Sequence, residues 1–126
     1  TDTALTKLKS DKDGFFLMVE GSQIDWAGHA NDITGAMSEM RDFDLAFQSA
    51  INFAKKDCNT LVIATADHST GGMSMGRGGE YNFLVDPIKQ MKHTPEYLSA
   101  ELLKKDANID KIITENIGFA LEATEI

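Results

Sequence analysis

The sequence has little cysteine and no long apolar segment. Cys58 is the only cysteine among 126 residues, which excludes an internal disulfide and a cysteine-rich zinc site. We expect it to be a half-buried thiol near a helix end, without a chemical role. No apolar run approaches the roughly 20 residues that a membrane-spanning helix needs. The chain is therefore expected to have no membrane span.

Positive charge is also scarce, because 12 Lys and Arg stand against 20 Asp and Glu, a net charge of −8. Such a chain cannot hold nucleic acid or an anionic membrane by simple electrostatic attraction, so no nucleic-acid partner is expected. An anionic substrate would be repelled as well, unless bound cations compensated. The apolar share of 42% and the charged share of 25% are ordinary for a globular protein.

Both ends of the sequence suggest a cut from a longer chain. It opens at Thr1 without an initiator Met and closes at Ile126 without a stop signal. A length of 126 residues fits one domain at most. We therefore expect residues 1–126 to be a single segment of a larger domain, whose missing signal peptide says nothing about its compartment.

Two short apolar runs with a helical pattern between them predict a strand–helix–strand unit. Residues 15–19 (FFLMV) and 61–64 (LVIA) have the length and composition of strands that are buried on both faces. A polar loop is predicted over 22–35. From Met40 to Ala54, apolar residues recur at three- and four-residue steps, which is typical of an amphipathic helix. A helical crossover makes the two strands parallel, so the predicted fold class is α/β.

The predicted organisation has two parts. Residues 1–86 form an α/β core, which opens with a helix over 1–10. Residues 87–126 form a helical extension.

Two helices are predicted in that extension. Thr94 and Pro95 have the types that cap and open a helix, which we expect to reach about Asp106. A shorter helix is predicted over 110–116, ending near Gly118.

Acidic and histidine side chains follow both predicted strands. Glu20 ends the first run, Asp67 and His68 end the second, and Asp25 and His29 are four residues apart between them. Because the carboxyl ends of parallel strands meet at one edge, where open α/β sheets bind ligands, we expect these side chains to cluster. Mixed nitrogen and oxygen ligands suit zinc, and all-oxygen sets suit magnesium. Bound cations would relieve the repulsion among three carboxylates and admit an anionic phosphate.

Each of these groups also has a simpler interpretation when it is taken alone. The spacing of Asp25 and His29 is common on helix surfaces. Asp67 and His68 could be a helix cap and a hydrogen-bonded histidine, and Glu20 could be an exposed acid. Only their joint placement favours a metal site.

Two sequence blocks resemble the metal-ligand blocks of the alkaline phosphatase family. Residues 19–32 read VEGSQIDWAGHAND, and residues 65–72 read TADHSTGG. The Asp-x-x-x-His and Asp-His pairings also occur in related phosphodiesterases, nucleotide pyrophosphatases and cofactor-independent phosphoglycerate mutases. The Val-Glu-Gly-Ser-x-Ile-Asp string is much more specific. The resemblance covers most of residues 13–83 and implies part of a parallel-sheet alkaline phosphatase fold.

The resemblance implies a role for each candidate ligand. Asp25 and His29 match ligands of a first zinc, Asp67 and His68 match ligands of a second zinc, and Glu20 matches a ligand of magnesium. The implied reaction is the hydrolysis of phosphate monoesters through a phosphoserine intermediate, which releases inorganic phosphate. The implied cofactors are two zinc ions and one magnesium ion.

The same resemblance implies that the nucleophilic serine lies upstream of this sequence. Ser22 and Ser69 flank the ligand blocks without a nucleophile's setting, and they are expected to hydrogen-bond the ligands or the loops. His93 is tempting as a third ligand of the first zinc, but Pro95 follows Thr94 where the family has Gly, so a surface histidine is expected. We therefore expect no catalytic residue in this chain, and an isolated chain that is inactive and binds metal weakly or partially.

Other expectations depend on the resemblance and on the truncated sheet. The family implies a secreted, periplasmic or cell-envelope location. An exposed sheet edge favours pairing between copies, so a homodimer is expected. Trp26 either lines the phosphate pocket or packs. The alternatives are a metal-dependent phosphodiesterase or phosphoglycerate mutase and, in another class, a non-catalytic interaction module.

Overall fold

The regular secondary structure of the chain is helical throughout its described part. The computed structural model describes residues 1–74 and 76–121, so the last five residues of the predicted extension lie outside the described residues. The helices are α1 (Asp2–Leu8), α2 (Ser22–His29), α3 (Ile33–Asp57), α4 (Asp86–Gln90), α5 (Pro95–Leu102) and α6 (Ile109–Ile117), with a 3₁₀ turn at Arg77–Gly79. The long helix α3 contacts α1, α2 and α4, and α5 packs on α6. Within this described part, no helix combines the length and the apolar character that a membrane crossing requires.

Helix α2 replaces the polar loop that the sequence predicted over 22–35, and that prediction is wrong. An isolated helix of eight residues is marginal in water, so α2 depends on its contact with α3. Gly21, the residue before α2, lies directly against this neighbour. A Cβ at Gly21 would lie 2.9 Å from Cδ2 of Phe43, so only glycine allows this close approach. The sequence pattern did not predict α2 because this helix is stabilised by its tertiary contacts with α3.

Helix α3 contains the predicted Met40–Ala54 helix and extends it at both ends. At its start, the buried Asp32 accepts a hydrogen bond from the backbone N–H of Gly35 at 2.8 Å. At its end, Cys58 adopts a left-handed conformation with φ of 60°. The thiol of Cys58 is exposed, so the prediction of a half-buried cysteine is wrong.

The N-cap of α3 makes a testable contribution to stability. Replacing Asp32 with Ala removes the acceptor for the Gly35 N–H, and we expect the free energy of unfolding to fall by about 1–2 kcal/mol. Asp32→Asn retains an acceptor oxygen and should lose clearly less. Urea unfolding followed by far-ultraviolet circular dichroism measures both variants. Equal losses in the two variants would show that the lost carboxylate charge, rather than the lost cap, sets the effect.

The two apolar runs do not form strands in the described residues, so the predicted strand–helix–strand unit is present only in its helix. In the first run the exposure alternates: Phe15 and Leu17 are half-buried, whereas Phe16 is 90% and Met18 75% exposed. The ring of Phe15 meets Phe53 of α3 edge-on, with a centroid separation of 5.9 Å. Exposure that alternates from one residue to the next is typical of a β-strand, whose successive side chains point to opposite faces. One face of the run therefore packs on α3 while the other face is uncovered.

The second run has the same exposed character. Leu61 is 83% exposed and Ile63 is 76% exposed, while Val62 between them is half-buried. The whole chain exposes 10,611 Å². A compact protein of its mass, 13.8 kDa, would expose only about 6,600 Å². The prediction that both runs are buried on two faces is therefore wrong for this chain by itself, because the described residues cover only one face.

The predicted helices of the C-terminal part are present, with one change of length. Thr94 caps α5 by accepting from the N–H of Tyr97 at 3.3 Å, and α5 ends at Leu102 rather than near Asp106. The second helix, α6, begins after Asn108 and ends at Ile117, and the next residue, Gly118, has a φ of 76°. The helix predicted over 1–10 is also present as α1. The division into a core over 1–86 and an extension stays a prediction.

Candidate metal centre

Helix α2 places the first two predicted ligands side by side. Asp25 and His29 are one turn apart on the same face, and His29 Nε2 lies 3.5 Å from Asp25 Oδ2. Asp25 is 37% exposed and His29 is 70% exposed, so this face of α2 is open to solvent. The helix therefore presents a carboxylate and an imidazole together.

The segment after the second apolar run brings the other two predicted ligands to the same place. His68 Nε2 lies 3.6 Å from Asp25 Oδ1 and 3.7 Å from Asp67 Oδ2. Asp25 thus directs one oxygen toward His29 and the other toward His68. The two sequence blocks, which lie on either side of α3 in the chain, meet at this carboxylate.

The three N···O distances of 3.5–3.7 Å are longer than those of good hydrogen bonds, and they are close to the distance between two ligands of one metal ion. A good N–H···O hydrogen bond joins heavy atoms 2.7–3.2 Å apart, which is shorter than the three contacts here. Ligand atoms about 2.1 Å from a tetrahedral zinc lie roughly 3.4 Å from one another. The donor types and spacing within the Asp25–His29 and Asp67–His68 pairs are therefore compatible with zinc.

The pairs do not add up to a complete ligand set. In residues 1–74 and 76–121, no three His, Cys, Asp or Glu side chains are placed to hold one ion. A catalytic zinc has three protein ligands and a structural zinc has four. The described residues therefore supply donor pairs, and a full site needs further ligands.

Glu20 is the predicted ligand that the structure does not bring into contact with the other four. Its side chain is exposed, and no hydrogen bond or ion pair among the described residues joins it to them. Its place near the site follows only from the chain, because Gly21 alone separates it from α2. Its role stays a prediction.

Thr70 joins the two ligand blocks, and the sequence did not single it out. Its hydroxyl donates to Asp25 Oδ1 at 2.7 Å, and its backbone N–H donates to His68 Nδ1 at 3.0 Å. Because Nδ1 accepts in this arrangement, the ring proton is on Nε2, which faces the two carboxylates; a metal could bind Nε2 only if that proton moved to Nδ1 and this hydrogen bond broke. The sequence analysis instead named Ser22 and Ser69 as hydrogen-bonding partners. Neither hydroxyl bonds a candidate ligand within the described part.

Trp26 and His93, two other residues that the sequence analysis considered, are exposed to solvent. Trp26 is 68% exposed on α2, so it does not pack in a core. His93 is exposed and stacks on Tyr97, with ring centroids 4.1 Å apart. This agrees with a surface histidine.

Comparison with known proteins identifies relatives along nearly the whole chain. The model of the alkaline phosphatase family matches residues 1–123. Alkaline phosphatase 3 of Bacillus subtilis (strain 168) is 62% identical over 129 aligned residues, which cover 100% of this chain and 28% of that protein. The repressible alkaline phosphatase of Saccharomyces cerevisiae is 39% identical over 99 residues, covering 74% of this chain and 18% of that protein.

A solved structure matches the fold. The crystal structure of a cold-active alkaline phosphatase from a psychrophilic Shewanella sp. superposes with a TM-score of 0.87 at 35% sequence identity. The match covers 98% of this chain and 31% of that chain. The chain therefore spans less than a third of the length of these relatives.

Proposed function

Because the chain belongs to the alkaline phosphatase family, we propose that it carries the metal-ligand part of an enzyme that hydrolyses phosphate monoesters. The observation that carries this proposal is the position of Asp25, whose two oxygens face imidazoles from two separate sequence blocks. The family match over residues 1–123 favours this function over the related phosphodiesterases and phosphoglycerate mutases.

The proposed ligand sets follow the family pattern. Asp25 and His29 would hold one zinc, Asp67 and His68 a second zinc, and Glu20 a magnesium ion. The distances of 3.5 Å within the Asp25–His29 pair and 3.7 Å within the Asp67–His68 pair support these two pairs, whereas Glu20 is supported by its place in the block alone. Bound zinc would supply positive charge for a phosphate and lower the pKa of a bound water toward ~7.

The residues of this chain act mainly by positioning. Asp25 joins the two ligand blocks, since it faces His68 Nε2 at 3.6 Å and accepts a hydrogen bond from the Thr70 hydroxyl at 2.7 Å. The open side of α2, with Trp26 exposed beside Asp25, leaves room for a substrate to approach. With a net charge of −8, the chain by itself disfavours the approach of a phosphate, and bound cations would offset this repulsion.

We further propose that residues 15–19 and 61–64 become strands of a parallel sheet in the complete domain. Their alternating exposure and uncovered apolar faces support this, as does the TM-score of 0.87 to a protein of which this chain covers 31%. A secreted or cell-envelope location, a phosphoserine intermediate and a homodimer are proposed on family membership alone.

The complete phosphatase and the isolated chain are expected to differ sharply in phosphatase activity. The complete phosphatase that contains this segment should hydrolyse p-nitrophenyl phosphate with zinc and magnesium present, and chelation should abolish the activity. The isolated 126-residue chain should show no turnover under the same conditions, because we propose that the nucleophile and the remaining metal ligands lie in other parts of the domain.

Two outcomes would contradict this proposal. Preferential hydrolysis of bis(p-nitrophenyl) phosphate by the complete protein would point to a diesterase. Metal-dependent turnover by the isolated chain would show that the catalytic groups are present within it. A heat-denatured sample of the chain serves as the background control.

A further inference from the structure

We propose that residues 91–118 form a helical unit that Lys92 closes on itself and that opens independently of the metal centre. We call this range the C-terminal unit, and it contains α5 (Pro95–Leu102) and α6 (Ile109–Ile117). All the candidate ligands precede it in the chain, so the inference goes beyond the proposed function. It concerns how one part of the domain is held together and how readily that part opens.

Lys92 joins the start of the C-terminal unit to the end of α6. Its backbone N–H donates to the carbonyl oxygen of Asn116 at 3.0 Å, and its Nζ donates to the carbonyl oxygen of Glu115 at 2.6 Å. Both carbonyls belong to the last turn of α6, where the backbone oxygens have no partner within the helix. A positive charge is also favourable there, since the C-terminus of a helix carries partial negative charge. Lys92 therefore caps α6 across 23 residues of sequence.

Gly118 brings the chain back to the point at which it enters the C-terminal unit. Its φ is 76°, a left-handed conformation that glycine commonly adopts after the last turn of a helix. A Cβ at this position would lie 2.8 Å from the carbonyl oxygen of Gln90, so any other residue would force the backbone to shift. The chain therefore enters and leaves the unit at one place.

The helices between these two points are stabilised within the unit. Helix α5 packs on α6, Leu98 of α5 is buried, and Ile112 of α6 is half-buried. Thr94 caps α5, and the side chain of Asn108 caps α6 by accepting from a backbone N–H of its first turn at 2.9 Å. Both helix starts and the end of α6 thus have their hydrogen-bonding partners inside residues 91–118.

Helix α4 lies outside the C-terminal unit, because it packs on α3. The boundary of the part that opens therefore falls near residue 91 rather than at residue 87, where the sequence predicted a helical extension. Among residues 91–118, which the structure describes in full, Leu98 is the one residue that is buried. Regions with few buried apolar contacts open at a low free-energy cost. We therefore expect this unit to open while α2 and α3 stay folded.

The first test measures amide hydrogen exchange by mass spectrometry in the complete phosphatase, and it compares Lys92→Met with wild type. Methionine keeps most of the side-chain stem and removes the ammonium that donates to Glu115. We expect exchange in α5 and α6 to become about five- to tenfold faster, with exchange in α2 and α3 unchanged. Lys89→Met is the matched control. It removes a lysine of α4 whose exposed ion pair with Asp86 spans 3.8 Å, and it should change exchange in neither region.

A deletion tests the same boundary in a second way. Joining Lys92 to Asn116 through about three glycines removes residues 93–115 and keeps the place where the chain enters and leaves the unit. Because the two ends adjoin, the rest of the domain should fold as before. We expect zinc content and kcat/KM within about threefold of the complete wild-type phosphatase, as for the removal of a surface insertion.

Three results would overturn the closed unit. They are unchanged exchange in α5 and α6 of Lys92→Met, an equal acceleration of exchange in α3, and a deletion variant that fails to fold or loses its zinc. Absence of zinc from the wild-type phosphatase would contradict the proposed function instead. The exchange comparison needs no metal, so it would still decide whether Lys92 closes the unit.

Discussion

An Asp25→Asn variant of the complete phosphatase is expected to lose at least about a thousandfold in kcat/KM together with much of its bound zinc. The amide keeps the shape of the carboxylate but removes its charge and replaces one oxygen with an N–H₂ donor. In the structure, Asp25 Oδ2 lies 3.5 Å from His29 Nε2 and Oδ1 lies 3.6 Å from His68 Nε2. Whichever way the amide turns, a donor faces one of the imidazoles, so the change damages one of the donor pairs.

Asp42→Asn is the matched control for this experiment. Asp42 is an exposed acid on α3 without an ion pair or hydrogen bond among the described residues, and the substitution removes the same charge. We expect its kcat/KM to stay within about twofold of wild type, as is usual for a surface substitution. Zinc content by elemental analysis and p-nitrophenyl phosphate kinetics are measured for both variants. Activity within tenfold of wild type and full zinc content in Asp25→Asn would contradict the assignment of Asp25.

The position of the candidate ligands could be predicted from the sequence, but by an argument that is only partly right. The sequence placed Asp25, His29, Asp67 and His68 together because two predicted strands would end at one edge. The structure does bring these four together. The elements that do so within the described residues are α2 and the segment after the second apolar run, not paired strands.

The remaining differences come from contacts that a sequence pattern does not contain. The eight-residue α2 forms because Gly21 allows it to lie against Phe43, a residue of another helix. The apolar faces of Phe16 and Leu61 are exposed because nothing in the described part of the chain covers them. Apolar runs predict which residues are stabilised by burial. They do not predict whether the residues that would cover them lie in the same segment.

Thr70 shows a second limit of the sequence argument. A threonine two residues after a histidine has no chemical signature, and serines nearer to the ligands were the stronger candidates. Its hydrogen bonds to Asp25 and His68 depend on its φ of 51° and on the space at Gly28, and both are properties of the folded backbone. Hydroxyl positions around a metal centre are therefore better read from a structure than from spacing.

Replacing His68 with Asn separates the possible roles of this residue, and it has the second large expected effect. Asn places its amide oxygen near the position of Nδ1 and can still accept from the Thr70 N–H, but it has no atom at the position of Nε2. If His68 acts only through its 3.0 Å hydrogen bond to Thr70, His68→Asn should retain activity. If Nε2 is the ligand atom, His68→Asn should lose about a hundredfold or more in kcat/KM and part of the bound zinc.

We expect the second result, because Nε2 is the atom that lies between Asp25 and Asp67 at 3.6 and 3.7 Å. His93→Asn is the matched control, since it changes an exposed histidine that stacks on Tyr97. It should leave kcat/KM and zinc content unchanged. A loss in His93→Asn as large as that in His68→Asn would show that His93 joins the metal centre once the rest of the domain is present. Retained activity in His68→Asn would reduce His68 to a support for Thr70. Kinetics of the wild type, His68→Asn and His93→Asn therefore distinguish a ligand, a structural histidine and a surface histidine within one chain.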